Sequence, residues 1–155
     1  MTRLAFPLAL AAGALCIATA AQAQVYKFSP PSTTFTASGP ASITKGEQVQ
    51  CTMTMKMRTN AKGHLKILST KFSGDSGCGT GENLPWKVKQ PTFNSAMIMG
   101  FEFTSPFGDC SYPQVPMFLD AGTIIIGFQF PDCGAGLGAE LTTSPTLSLV
   151  AAGAD

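Results

Sequence analysis

Polar and apolar residues alternate one for one along residues 51–57, CTMTMKM, with Cys51, Met53, Met55 and Met57 on one side and Thr52, Thr54 and Lys56 on the other. Successive side chains of an extended strand point to opposite faces, so this is the pattern of a half-buried β-strand and not of a helix stripe. The alternation returns where Trp86 and Val88 interleave with Lys87 and Lys89, and again in the row Met97, Met99, Phe101 and Phe103. Ile124, Ile126, Phe128 and Phe130 form a further apolar row, and Ile125 behind it predicts burial on both sides. No segment carries apolar residues at helical spacing with caps. Short strands punctuated by Gly and Pro predict an all-β chain, either a single antiparallel β-sandwich of Greek-key type or a flattened barrel.

Between these rows the turn chemistry is readable. Residues 58–63, RTNAKG, supply the Asn and Gly of a hairpin turn, and LKILSTKF at Leu65 to Phe72 returns as the partner strand. Its apolar positions change phase between Ile67 and Leu68, which predicts a β-bulge there. SGDSGCGTGENL at Ser73 to Leu84 reads as Gly-rich loop, and the stretch from Pro106 to Pro116 as a proline-punctuated loop. A last strand is expected from Leu141 to Val150, with Pro145 marking an edge position or a bulge. Short strands near Val25 to Phe28 and Thr33 to Ala37 complete the set.

The chain opens MTRLAFPLALAAGALCIATAAQAQ, with one charge at Arg3, an apolar run from Leu4 to about Thr19, and small residues Ala21 and Ala23 around Gln22. This predicts a signal peptide over residues 1–23, cleaved after Ala23, and a mature single domain over residues 24–155. No later stretch is long and apolar enough for a transmembrane segment. Cys16 falls in the discarded part, which leaves Cys51, Cys78, Cys110 and Cys133, an even number in a chain sent to an oxidising compartment. Zinc is the competing use of four cysteines, but there is no C-x-x-C pair and His64 is the only histidine. A hairpin folded at about Ala61 leaves Cys78 just past the point where Cys51 begins, so Cys51 to Cys78 is the easiest bond to close. Cys110 to Cys133 follows by elimination, although a plain hairpin between their strands would put the two at opposite ends unless the 106–116 loop folds back.

Hydrolytic chemistry needs a nucleophile with a base, or two carboxylates with tuned pKa values. His64, in NAKGHLK, has Lys62 and Lys66 as neighbours and no nearby acid to orient it, and reads as a solvated turn residue. There is no G-x-S-x-G, and the acids form no recognised pair, although the two acids of a glycosidase can come from distant strands. The methionine rows suit Cu(I) chemically, yet alternate apolar residues on a strand ordinarily face the core. The GDSGCGTGE loop lacks both G-K-[ST] and the Asp spacing of an EF-hand. The expectation is a non-catalytic chain with no metal and no cofactor. If it binds an apolar small molecule or a carbohydrate, Trp86, Phe101, Phe103 and Phe128 are the wall residues that the sequence offers, against the ordinary use of such rings in a core.

Charge is unevenly placed along the chain. Residues 24–89 hold nine Lys or Arg against three acids, and residues 90–155 hold six acids and no base. Strands from the two halves are expected to interleave and mix these charges; segregation would instead favour head-to-tail self-association. Nucleic acid is an unsuitable partner, because the mature chain is neutral overall and its cationic half lacks interleaved aromatics.

FTASGPASITKGEQVQCTMTM at Phe35 to Met55, LPW at Leu84 to Trp86 and LTTSPTLSLV at Leu141 to Val150 together resemble a bacterial family of exported proteins described as activators of alkane oxidation. The resembling pieces are strand starts, a cysteine and a closing strand, so they carry over no catalytic residue. The resemblance implies a secreted or surface β domain that helps cells handle apolar substrates or build biofilm. The functional expectation is therefore an exported structural, adhesive or interaction protein at the cell surface or in the periplasm, self-associating or docking on a surface partner. The alternative is an exported binding protein for an apolar small molecule or carbohydrate.

Overall fold

A computed structural model describes residues 24–153 of the chain, residue 90 excepted. The expected signal segment, residues 1–23, lies outside the described residues. Eleven strands run in chain order as β1 (Tyr26–Ser29), β2 (Thr34–Lys45), β3 (Glu47–Thr59), β4 (Leu65–Gly74), β5 (Thr80–Gly81), β6 (Trp86–Lys89), β7 (Ser95–Ser105), β8 (Gly108–Asp120), β9 (Thr123–Phe130), β10 (Ala135–Ser144) and β11 (Ser148–Ala151). Eight of them, β2, β3, β4, β6, β7, β8, β9 and β10, pair antiparallel with their sequence neighbours, and β10 pairs back onto β2. The result is a closed meander barrel, so the barrel arrangement forms and not the sandwich. Closure removes the free edges that an open sheet would expose.

An eight-stranded barrel is just wide enough for its inward side chains to fill it. Met53, Met55 and Met57 are fully buried in that interior, with Phe35, Ile43, Ile98, Val115, Ile124 and Leu141. The bulge forms where the sequence places it: β3 and β4 slip register between Lys56 and Met57, leaving Leu68 unpaired and exposed.

Four expectations are corrected. Residues 106–116 are not loop, because β7 turns tightly at 106–107 and runs back as β8 through Pro113 and Pro116. Pro116 lies where β8 has no ladder to β9, and Pro113 falls opposite Gly100, where the ladder to β7 skips a pair, so at each a missing N–H is tolerated. In β7 the inward face is Ala96 and Ile98, then Phe101 and Phe103, with Met97 and Met99 half-buried on the outside. The change of phase occurs at Gly100, whose φ of 65° is a left-handed conformation that glycine adopts freely. Ile125 is not buried on both sides; it is 42% exposed and stands opposite Phe118, 47% exposed, on the outer surface. The expected strand from Leu141 to Val150 is two strands: β10 ends at Ser144, and β11 leaves the barrel to pair with β1 as a separate ribbon.

Three seams of the barrel are thinly paired, β6–β7 among them with Lys87 on Met99, Val88 on Ile98 and Lys89 on Met97. β4 meets β6 only at Lys66 with Lys87 and Ile67 with Trp86. β8 meets β9 only at Phe118 with Ile125, Leu119 with Ile124 and Asp120 with Thr123. Beyond that point Tyr112 and Phe128 pack ring to ring at 4.7 Å, and the disulfide Cys110–Cys133 ties the far end. With β8 a strand, the hairpin register carried onward sets Cys110 opposite Cys133, which removes the objection that these cysteines sit at opposite ends. The second disulfide is Cys51–Cys78, as the hairpin geometry predicts. Two disulfides indicate an oxidising, exported environment.

Registers fix the two ends of the barrel. Turns at 60–64, 91–94, 121–122 and 145–147 gather at one end, beside the β1–β11 ribbon, and the turns near both disulfides gather at the other. The ribbon end carries Arg58, Lys62, Lys66, Lys87 and Lys89 with Asp120, and the disulfide end carries Glu47, Asp75, Glu82, Asp109 and Asp132 with Lys45. Apart from Lys45 and Asp120, the charges near the turns therefore separate, basic at the ribbon end and acidic at the disulfide end, while Lys56, Lys71, Glu102 and Glu140 lie along the strands between them.

Met55→Asp is expected to unfold the domain, because an unpartnered carboxylate in this interior costs several kcal/mol against a total stability of about 5–15 kcal/mol. Circular dichroism of that variant is the measurement, and an unchanged melting temperature would contradict the packed interior. Replacing Cys110 and Cys133 together by Ser should cost about 3 kcal/mol by loop-closure entropy. Hydrogen exchange should then rise selectively in β8 and β9 beyond their three paired positions.

Candidate functional site

The ribbon is seated on the β3–β4 turn by backbone contact. Phe28 N–H donates to Gly63 O at 3.0 Å, and Asn60 Oδ1 accepts from the amides of Lys62 and His64, each at 2.9 Å. Gly63 is required twice over: its φ is 74°, and a Cβ there would lie 2.9 Å from both Lys27 Cβ and Phe28 O. Thr59, fully buried, donates from Oγ1 to Pro30 O at 2.7 Å and accepts from Thr33 N–H at 3.0 Å, which fixes the approach of the chain into β2. At the other strand of the ribbon, Ala152 N–H donates to Val25 O at 2.7 Å.

Between this ribbon and the thinly paired β4–β6 seam lies a cleft of about 600 Å³, within the range of small-molecule sites. Phe28, Leu65 and Val88, all buried, form its apolar base, and Val25 and Pro91 extend the apolar wall. Its rim carries Lys27, Lys62, Lys66, Lys87, Lys89 and His64, and among the described residues no carboxylate lines it. Lys66 and Lys87 are direct cross-strand partners. Like charges opposite each other on a ladder are unfavourable in an empty sheet, so this arrangement suits an anion.

The aromatic residues singled out from the sequence lie elsewhere. Trp86, Phe101 and Phe103 are at most 1% exposed, and Phe128 is half-buried. Trp86 stacks on Phe101 at 4.3 Å, Phe101 meets Phe130 at 5.5 Å, and Phe130 meets Phe128 at 5.1 Å, giving a continuous ring-to-ring chain through the barrel toward Tyr112. The indole N–H of Trp86 donates to Glu82 O at 2.9 Å. None of the four lines the lysine cleft.

His64 is exposed on the rim of that cleft. At the disulfide end, Glu82, Glu102 and Asp109 share a separate cleft of about 420 Å³, in which Asn83 Nδ2 donates to Glu102 Oε2. Their positions in the sequence gave no sign of this convergence, since it depends on the register of β7 against β8. Among the described residues, no three His, Cys, Asp or Glu side chains come close enough to hold a metal ion. The lysine cleft was likewise missed from the sequence. Its signal was present as Lys62, Lys66, Lys87 and Lys89, but only the β4–β6 register joins the two runs.

The sequence model of the family described as "Alkane oxidation protein activator PraA/PraB-like" matches residues 1–151. No curated protein and no solved structure matches the chain. The chain belongs to the PraA/PraB-like family of alkane oxidation protein activators.

Proposed function

We propose that this protein is a non-catalytic exported module, acting at the cell surface or in the periplasm, that engages an apolar small molecule through the lysine-ringed cleft during growth on alkanes. The observation that carries this reading is the cleft itself: a concave apolar base with convergent charged groups. The family's description as an activator supports a role other than catalysis. His64 has no carboxylate among its neighbours in the cleft lining, so nothing there orients it as a base.

A second reading, an adhesive or structural subunit that builds surface assemblies such as biofilm, is favoured by the axial separation of charge. The basic ribbon end of one molecule complements the acidic disulfide end of the next, and such a contact repeats because each molecule keeps both ends.

In a strain lacking the gene, the wild-type gene should restore growth on n-hexadecane and leave growth on a soluble carbon source unchanged. His64→Ala should restore it equally, with stability altered by no more than about 0.5 kcal/mol. Val25→Asp, which places a carboxylate on an exposed wall of the cleft, should fold normally and fail to restore growth. Full rescue by Val25→Asp would remove the cleft from the function, and loss of rescue in His64→Ala at unchanged stability would reopen catalysis. For the assembly reading, sedimentation should show concentration-dependent oligomers at low salt that dissociate near about 0.5 M, where the screening length falls to about 4 Å. A monomer at every salt concentration would exclude it.

A further inference from the structure

The lysine cleft has two chemically distinct parts, and a ligand that satisfies one alone leaves the other unsatisfied. Phe28, Leu65 and Val88 offer apolar surface at the base, where a neutral chain would displace water. Above it, Lys66 faces Lys87 across the β4–β6 ladder, with Lys62 and Lys89 also on the rim and no acid among the described lining residues. Bare inorganic anions would leave the base wet, and a plain hydrocarbon would leave the cation pair uncompensated. The complementary shape is a single alkyl chain ending in a negative charge. Lysine presents a compact point charge on a flexible stem, whereas Arg is the side chain suited to fixed bidentate forks, and no Arg is among the described residues that line the cleft.

We infer that the cleft binds a free alkyl carboxylate, its chain along Phe28, Leu65 and Val88 and its carboxylate between Lys66 and Lys87. The inference rests on the binding reading above and names the ligand class for that same site. Terminal oxidation of an alkane retains the chain and ends in a carboxylate, so the family's setting supplies a compound with both halves. The class of reaction that feeds this site is therefore the oxidation of a terminal methyl or aldehyde carbon to the acid.

Isothermal titration of the purified protein with hexanoate, decanoate and dodecanoate, each below its self-aggregation concentration, tests this directly. Binding should saturate at one per chain and tighten by roughly two- to fourfold for each methylene buried. Dodecyltrimethylammonium, with the same chain and the opposite charge, should bind at least tenfold more weakly than dodecanoate. The double variant Lys66→Gln, Lys87→Gln should keep its melting temperature and lose at least tenfold in dodecanoate affinity, while Lys71→Gln, on β4 outside the cleft, should bind as wild type. Equal affinity for the cationic amphiphile, or dodecanoate binding unaffected in the double variant, would overturn the assignment. So would binding only to phosphatidylglycerol vesicles and not to dissolved carboxylate, which would place the charge at a membrane surface instead. The same samples in the hexadecane growth assay separate the two levels: no carboxylate binding with growth still dependent on an unblocked cleft removes the ligand class alone, and independence of growth from the cleft removes the binding reading as well.

Discussion

The ladder between β10 and β2 joins the two ends of the meander, setting Ala139 against Ala41 and Thr142 against Ser38. Every other ladder of the ring links consecutive strands, or β4 with β6 across the two-residue β5, so this is the ring's one long-range pairing. It spans most of the described chain, so among the barrel ladders it carries the largest loop-closure entropy. The interior row of Met53, Met55 and Met57 is fully enclosed in the ring that this ladder closes.

Closure is uneven around the ring. The strongly paired arc from β4 through β3 and β2 to β10 contrasts with the β4–β6 and β8–β9 seams, which carry two and three paired positions. At the second, covalent chemistry and an aromatic contact stand where backbone hydrogen bonds end. At the first, the strands end their pairing beside the lysine cleft. Fewer cross-strand bonds there leave room for a concave surface between ribbon and barrel, so the position of the site follows from the weakness of the ladder.

The parts of this fold that local pattern controls were legible from the chain. Alternation in CTMTMKM placed Met53 and Met55 inward, the phase change at Ile67 and Leu68 placed the bulge, and hairpin geometry paired Cys51 with Cys78. What failed depended on partners. Pro113 and Pro116 argue against a strand only if the ladder is continuous at both, and no local signal shows that the β9 edge is open or that the β7 ladder skips a pair at Gly100. Gly100 reversed the phase of β7, which made Met97 and Met99 look like core when Ala96 and Ile98 hold that place. Ile125 looked buried because its neighbours are apolar, yet it faces out beside Phe118. The cleft was illegible for the same reason: its lysines come from two runs that meet only through a two-residue register.

The pairing of Tyr26 with Ala151 brings the first and last strands together on the ribbon. Any segment that precedes β1 or follows β11 therefore departs from the same rim, next to the lysine cleft and away from the disulfides. A tether at either terminus, whether a tag, a fusion partner or an anchor, orients the molecule the same way, with the basic end toward the attachment and the acidic end outward. Immobilising the protein by its termini would crowd the mouth of the cleft, whereas a new pair of termini opened at the turn of residues 106–107 would leave it facing free solution.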